Sequence, residues 1–475
     1  MTLSATAAAA QPPSAVRPAR TLARTLSRPP WLLRLTIPAL VFSAFLTDVR
    51  FVPGLKNNIG LFELIGGALI LVTMLTAAVG THRLGLHPIL RVIGLIVLAA
   101  AASQVRLPDS HFMVGLVQVA ILAFLFGFLV ALSNLLARYA ISPTVILRWV
   151  GYSVLVVGPW VILEGVETGG SIGASGPFRN RAHMGTYMLT AFWLSILLAL
   201  WPGLKRRDRL VSWAAICLTL YGVAVSGRRS VYLSLIFGLA GLVVAMAIVH
   251  RGKRLRLFAT VGIAIGFLTL FYFVGGLFFP RAAFFQERLW MIGDALQDAF
   301  APVSAVTVGD ENFIALQRKG AFQAFRENPI FGIGWGGFWE SRYSPTGHEV
   351  HNMPLRFVAE LGLVGITLYG LFITLLLITT ARLSAVMRRS PYGASYLALA
   401  VAFWSLCVSY TYNRHLTERT FWLLLIVLFT LEAFARRWQA AQRRADAVPR
   451  PPRDRRTPAP TARTSLRGDA EAGDP

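Results

Sequence analysis

The chain has little cysteine and little charge. Its two cysteines, Cys217 and Cys407, both fall inside apolar runs, so neither a disulfide framework nor a cysteine metal cluster is on offer. Charged residues make up 14% of the 475 positions, against about 25% in soluble domains. Acidic residues are the scarcer kind: 22 Asp and Glu face 46 Lys and Arg, for a formal net charge of +24. No P-loop pattern and no internal repeat of the whole chain is seen, which removes P-loop phosphate chemistry from consideration.

What the chain has in excess is hydrophobicity. At 55% hydrophobic residues and a mean hydropathy of +0.59, it reads as a membrane protein. Apolar runs of roughly the 20 residues a bilayer requires lie at 31–49, 59–79, 86–103, 111–136, 145–163, 184–201, 209–225, 230–249, 257–279, 354–379, 393–411 and 419–435. That makes about twelve spans. Backbone groups in hydrocarbon must be satisfied within each segment, which long apolar runs achieve as helices. The expected fold is an all-α polytopic membrane protein.

The positive charge is not spread evenly. Arg17, Arg20, Arg24 and Arg28, then Lys205 to Arg209, Arg251 to Arg256, Arg382 to Arg389 and the tail from Arg436 fall on one side of a twelve-span chain. Positive loops mark the cytoplasm, so both termini are expected inside. Residues 1–30 and 437–475 read as disordered basic cytoplasmic tails, topology determinants and linkers in preference to nucleic-acid-binding segments, and contact with anionic headgroups is compatible with either reading. Residues 31–279 hold spans one to nine, 280–352 a large periplasmic loop, and 353–436 spans ten to twelve. Within the loop, Phe285, Leu289, Ile292, Leu296 and Phe300 recur at helical spacing, and a second helix should stop at Asn328 and Pro329.

Four motifs fall on the extracytoplasmic side of this topology. The first, Gly176 to Met188, brings Arg179, Asn180, Arg181 and His183 to the start of the sixth span. There a helix N-terminus and basic side chains make an anion site, or the arginines simply snorkel to the interface. The second places Arg228 and Arg229 at the start of the eighth span, on the side that should be poor in positive charge. Guanidinium groups match phosphate oxygens bidentately. The third is a loop helix with Arg318, Lys319 and Arg326, either a ligand face or a solvated one.

The fourth runs from Gly332 to Gly365. Gly332, Gly334, Gly336 and Gly337 allow sharp turns or close approach, while Trp335, Phe338, Trp339 and Tyr343 stack on sugars or sit in the interface belt. His351 and Asn352 follow, with Pro354 at a favoured first-turn position. A neutral imidazole at a helix N-terminus is a candidate general base for a hydroxyl. Asp294, Asp298, Asp310 and Glu311 could gather a divalent ion, and His348 and His351 have a helical-turn spacing, but Asp294 and Asp298 fit the polar face of an amphipathic helix equally well. No metal and no cofactor is expected. Glu63 and Glu360 are intramembrane carboxylates, the kind a proton relay would use.

These motifs resemble the O-antigen ligase and polymerase family of polytopic bacterial membrane proteins. His351, Asn352, Gly362 and Gly365 match its signature of His, then Asn, Ser or Gln, nine residues, Gly, two residues, Gly. Pro329 to Phe338 is similar to its Pro-x-x-Gly-x-Gly-x-x-x-Phe run, Arg229 takes the arginine place of its Ser/Thr-Gly-Ser-Arg run, and Phe178, Asn180 and His183 resemble its Phe-x-Asn-x-Asn-His stretch. Ala182 stands where the second Asn is usual, and Phe322 where Trp is usual.

The resemblance implies a C-type glycosyltransferase architecture, in which an undecaprenyl-diphosphate-linked glycan donor is used without nucleotide sugar or essential metal. Arg229 and Arg318 would hold the diphosphate and His351 would activate or position the acceptor hydroxyl. Arg228, Arg179, Arg181, His183, Asn180, Asn352, Gly334, Trp335 and Arg326 would complete the substrate site. The expected function is a surface-polysaccharide polymerase. The alternatives are an O-antigen ligase acting on lipid A core or a protein, and, from another class, a transporter or flippase of a lipid-linked or anionic substrate. The expected location is the bacterial inner membrane, with membrane lipids, donor and acceptor glycan or lipid A core as partners.

Overall fold

A computed structural model describes residues 31–44, 61–78, 85–139, 141–167, 177–178, 181–226, 228–249, 262, 313–339, 341–344, 347, 350, 352–411 and 419–447. Every extended element among them is helical. In chain order they are α1 (Trp31–Ser43), α2 (Leu61–Ala78), α3 (Pro88–Ala102), a 3-10 turn (Ser103–Arg106), α4 (Asp109–Tyr139), α5 (Pro143–Glu167), α6 (Arg181–Ala199), α7 (Arg206–Ser226), α8 (Arg229–Val249), α9 (Phe313–Glu327), α10 (Met353–Met387), α11 (Gly393–Thr411) and α12 (Arg419–Ala447).

The apolar runs predict these helices well. Eleven of the described helices overlap predicted spans, and α9 is the predicted loop helix, ending at Glu327 just before Asn328 and Pro329. Among the described residues, seven helices are long and apolar enough to cross a membrane. The predicted ninth span, 257–279, lies outside the described residues, as do the amphipathic stretch 281–300 and both tails. Leu71, Leu98, Val156 and Ile378 are more than half exposed on their helices, a costly arrangement in water and the natural one against lipid. The described residues therefore form an all-helical, membrane-type bundle.

Polar pairs between helices fix their directions. Glu63 in the first turn of α2 meets Arg419 at the start of α12 at 2.7 Å, while His87, just before α3, meets Glu432, near the middle of α12 and almost four turns beyond Arg419, at 2.8 Å. Consecutive helices α2 and α3 thus start at opposite ends of the bundle. Arg148 near the start of α5 and Asp208 near the start of α7 pair at 2.9 Å, so these two helices run in the same direction. Ser234 of α8 and Ser405 of α11 lie 3.1 Å apart, hydroxyl to hydroxyl, joining the first half of α8 to the second half of α11.

Within the unit from Leu26 to Ala435, α6 is the most enclosed span. Thr186 and Thr190 each donate back to the carbonyl four residues earlier, which satisfies hydroxyls in an apolar interior. Close packing of α6, α8 and α11 depends on Gly238: a Cβ there would lie 2.2 Å from Trp193 Cζ2 and 2.6 Å from Ser405 Oγ. Beyond Ala435, α12 continues into a separate unit with exposed Arg443 and Arg444.

Candidate functional site

The sharpest feature of the bundle is a break in α10. Gly362 has φ 62° and ψ −145° inside an otherwise continuous 35-residue helix, a conformation open essentially to glycine alone. The backbone groups freed there pair with the glycine-rich loop that follows α9. Ile333 and Gly334 donate their amides to the carbonyls of Ala359 and Glu360 at 3.1 and 3.0 Å, and the amides of Leu363 and Val364 donate to Pro329 and Ile330 at 2.8 and 3.2 Å. The loop therefore takes over hydrogen bonds that the helix gives up, as a break near a membrane requires.

The loop glycines have specific reasons. Gly332, Gly334 and Gly336 all have positive φ, and a Cβ on Gly332 would lie 2.3 Å from the Glu360 carbonyl carbon. On its other side the loop is gripped by the 3-10 turn that follows α3. Ser103 Oγ accepts from the Trp335 amide at 2.9 Å, Gln104 Nε2 donates to the Trp335 carbonyl at 3.1 Å, and Arg106 donates to the Gly332 carbonyl at 3.1 Å. Since α3 starts beside Glu432, its far end lies with Arg419, and the start of α10 lies there too.

That tie places the other motifs. With α10 starting at the Arg419 end, α11 finishes there, and the Ser234–Ser405 pair puts the start of α8 at the same end. The start of α6 joins it, because a Cβ on Gly185 would lie 3.0 Å from Ser226 and 3.3 Å from Val231, at the turn between α7 and α8. The segments bearing His183, Arg228, Arg318 and Asn352 thus belong to one end of the bundle.

Individual residues fall as follows. Arg181 opens α6 and Arg229 opens α8; their side chains, together with Arg179, Asn180 and His351, lie outside the described residues. His183 and Arg228 are half-buried, and the Arg228 carbonyl accepts the first helical amides of α8, from Val231 and Tyr232. Arg318 is half-buried on α9 and Arg326 exposed. Asn352 caps α10, its side chain accepting from the Leu355 amide at 3.1 Å, with proline in the first turn as expected.

Val350, one residue before His351, is buried with Ala321 and Ala324 of α9, Phe338, Tyr343 and Ala359. This packs the segment leading into α10 against the helix that carries Arg318. The approach is close: a Cβ on Gly320 would lie 1.9 Å from the Tyr343 carbonyl oxygen. Outside the bundle, Tyr343 donates its hydroxyl to Glu327 at 2.6 Å and Arg342 pairs with the same carboxylate, latching the loop onto the last turn of α9.

Two sequence expectations need correction. Trp335 and Phe338 are 0% exposed, so neither stacks on a sugar nor sits in the interface belt in this conformation. Gly334 serves the helix break, with its amide on the Glu360 carbonyl. Burying large aromatics under a loop is what holds the loop down. Glu63 and Glu360, weighed as relay carboxylates, are each paired with an arginine, Arg419 and Arg356. Sequence reasoning also missed Ser103, Gln104, Arg106 and Arg356. Only the last left a signal, the Arg-to-Glu spacing of four on an apolar helix.

Among the described residues no three His, Cys, Asp or Glu side chains come together; the acidic and histidine residues weighed as ligands lie outside them. A scan of protein-family models and a search of curated proteins each found no match.

Proposed function

We propose that this chain is a glycosyltransferase of bacterial surface-polysaccharide assembly, acting as a polymerase on undecaprenyl-diphosphate-linked glycans. The observation that carries the reading is the gathering of the His183, Arg228, Arg318 and Asn352 segments at one end of an apolar bundle. A lipid-held anionic donor and a hydrophilic acceptor meet at such a place.

The chemistry follows from the residue types. The acceptor hydroxyl attacks the anomeric carbon, the bond from that carbon to the diphosphate oxygen breaks, and the hydroxyl proton passes to His351 as general base. Guanidinium groups of Arg229 and Arg318 neutralise the departing undecaprenyl diphosphate, supplying the charge stabilisation that a leaving diphosphate needs. Asn352 fixes the helix start beside His351 through its cap. Twelve spans, cytoplasmic termini and an extracytoplasmic site belong to this proposal. It draws support from the exposed Lys205, Arg206, Arg207, Arg209, Arg388 and Arg389 at the other end of the bundle, the signature of a cytoplasmic face.

The test is turnover by purified protein of a synthetic undecaprenyl-diphosphate oligosaccharide in the presence of EDTA, with Arg229→Ala and His351→Ala beside the native chain. Longer glycans from the native protein alone support the polymerase. Product only after lipid A core is added makes it a ligase. No product with either acceptor, together with passage of the lipid across vesicles, overturns the proposal in favour of transport.

A further inference from the structure

The ion pair between Arg356 and Glu360 has no place in the chemistry above, yet it sits at the centre of the helix break. Both side chains are 0% exposed. One carboxylate oxygen of Glu360 accepts from Arg356 Nε at 2.9 Å and from the Gly336 amide at 2.9 Å. The Arg356 guanidinium lies over the Trp335 ring, 4.3 Å from its centroid, and Trp335 is held at both backbone groups by Ser103 and Gln104.

We propose that Arg356 and Glu360 are positioning residues: together they lock the glycine loop into the α10 break and so set the spacing between Arg318 and the Asn352 cap. The consequence for turnover rests on the function proposed above; the geometry does not. A buried pair that loses one partner leaves an uncompensated charge, so the assembly strongly favours a single arrangement. Trp335 has no slack either, because a Cβ on the facing Gly115 would lie 3.0 Å from its carbonyl oxygen and 2.2 Å from Gln104 Oε1.

Two levers leave this lock. Before the break α10 runs nine residues from Leu361 back to its cap, Asn352, and α9 runs nine residues from Glu327 back to Arg318. At about 1.5 Å rise per residue each lever is about 13 Å long, and a tilt of about 5° at the lock moves its far end by about 1 Å. Misplacement by about 1 Å costs an active site on the order of 100-fold. A lock at the fulcrum therefore matters more to rate than its distance from the chemistry suggests.

The experiment uses the full chain in lipid nanodiscs with Cys217 and Cys407 replaced by alanine. Spin labels at Gln323→Cys on α9 and Leu371→Cys on α10 report the inter-helix distance distribution, and steady-state turnover of the lipid-linked oligosaccharide is measured in parallel. Glu360→Gln and Arg356→Met should each broaden the distribution and lower kcat at least about tenfold, with KM for the donor within about twofold. Where a single variant does not fold, the double variant Arg356→Met/Glu360→Gln, which buries no lone charge, is read instead. A distribution as narrow as the native one overturns the proposal, as does a broadened one with native kcat. If the native chain gives no product, the functional reading fails while the spin-label result still decides this one.

Discussion

Pro329 and Leu363 are joined by a backbone hydrogen bond of 2.8 Å, the loop carbonyl accepting the first amide beyond the α10 break. The bond exists because Gly362 turns the helix out of register. A Cβ on Gly362 would lie 2.6 Å from the Pro329 oxygen and 2.7 Å from the Gly332 nitrogen. Gly362→Ala should therefore cost at least about 1–2 kcal/mol from the left-handed backbone alone. Gly370→Ala, in the helical part of α10 with nothing within 4 Å of the new Cβ, should gain up to about 1 kcal/mol. Thermal unfolding of both variants in one detergent checks the contrast.

Asn352→Ala removes the cap of α10 and should destabilise by about 1 kcal/mol, while Asn352→Asp should retain most of the cap. Because His351 directly precedes the cap, turnover should fall with Ala and largely recover with Asp. A matched loss in both variants would separate the amide's chemistry from its capping.

The Glu327 latch should depend on pH. The hydrogen bond from Tyr343, then that from Gln323 and the nearby Arg342, holds the Glu327 carboxyl below its usual range. With the folded value depressed, the latch contributes above the ordinary Glu value of about 4.3 and is lost as pH falls through the lower folded value. Hydrogen exchange of the segment around Tyr343 should quicken at about pH 3.5 relative to pH 6, after correction for intrinsic rates. Tyr343→Phe should flatten that dependence.

Ser234→Cys with Ser405→Cys should form a disulfide on mild oxidation, since the native hydroxyls stand 3.1 Å apart. Ser234→Cys with Ser395→Cys should not, because Ser395 lies about 15 Å back toward the start of α11 by helical rise. Gel mobility before and after reduction reads the outcome. Cross-linking of the second pair and not the first would reverse the direction assigned to α11.

Orientation is open to a labelling test in intact cells. A membrane-impermeant maleimide should modify Gln323→Cys at the α9 end and spare Lys205→Cys at the basic end, in a chain with Cys217 and Cys407 replaced. Reversed labelling would place the arginine and histidine segments in the cytoplasm and remove the proposed donor from reach.

Much of the bundle is legible in sequence because hydrocarbon demands long, internally bonded helices. The runs at 184–201 and 230–249 anticipate α6 and α8 to within a turn. Asn328 and Pro329 mark the end of α9 by the same local logic that ends helices in water. The gathering of the His183, Arg228 and Asn352 segments at one end was also within reach, since an even number of crossings returns the chain to the same side.

The inner working of the glycine loop was not. Trp335 looks in sequence like a surface aromatic, and its burial depends on Ser103 and Gln104, 232 and 231 positions away. Gly362 stands out in sequence only as part of the signature with His351, Asn352 and Gly365, not as a helix break. Its break is paired with Pro329 and Ile330 across a turn whose course no local periodicity reports.

By itself the sequence determined where the helices run and which of their ends carry arginine, histidine and asparagine, because hydrophobic length and charge are properties of single segments. Only the tertiary structure decided that Glu360 is bound to Arg356 and Gly336 and that α10 breaks to receive a loop. Those facts depend on a buried charge finding its partners and on backbone groups being satisfied between segments, which no segment can settle alone.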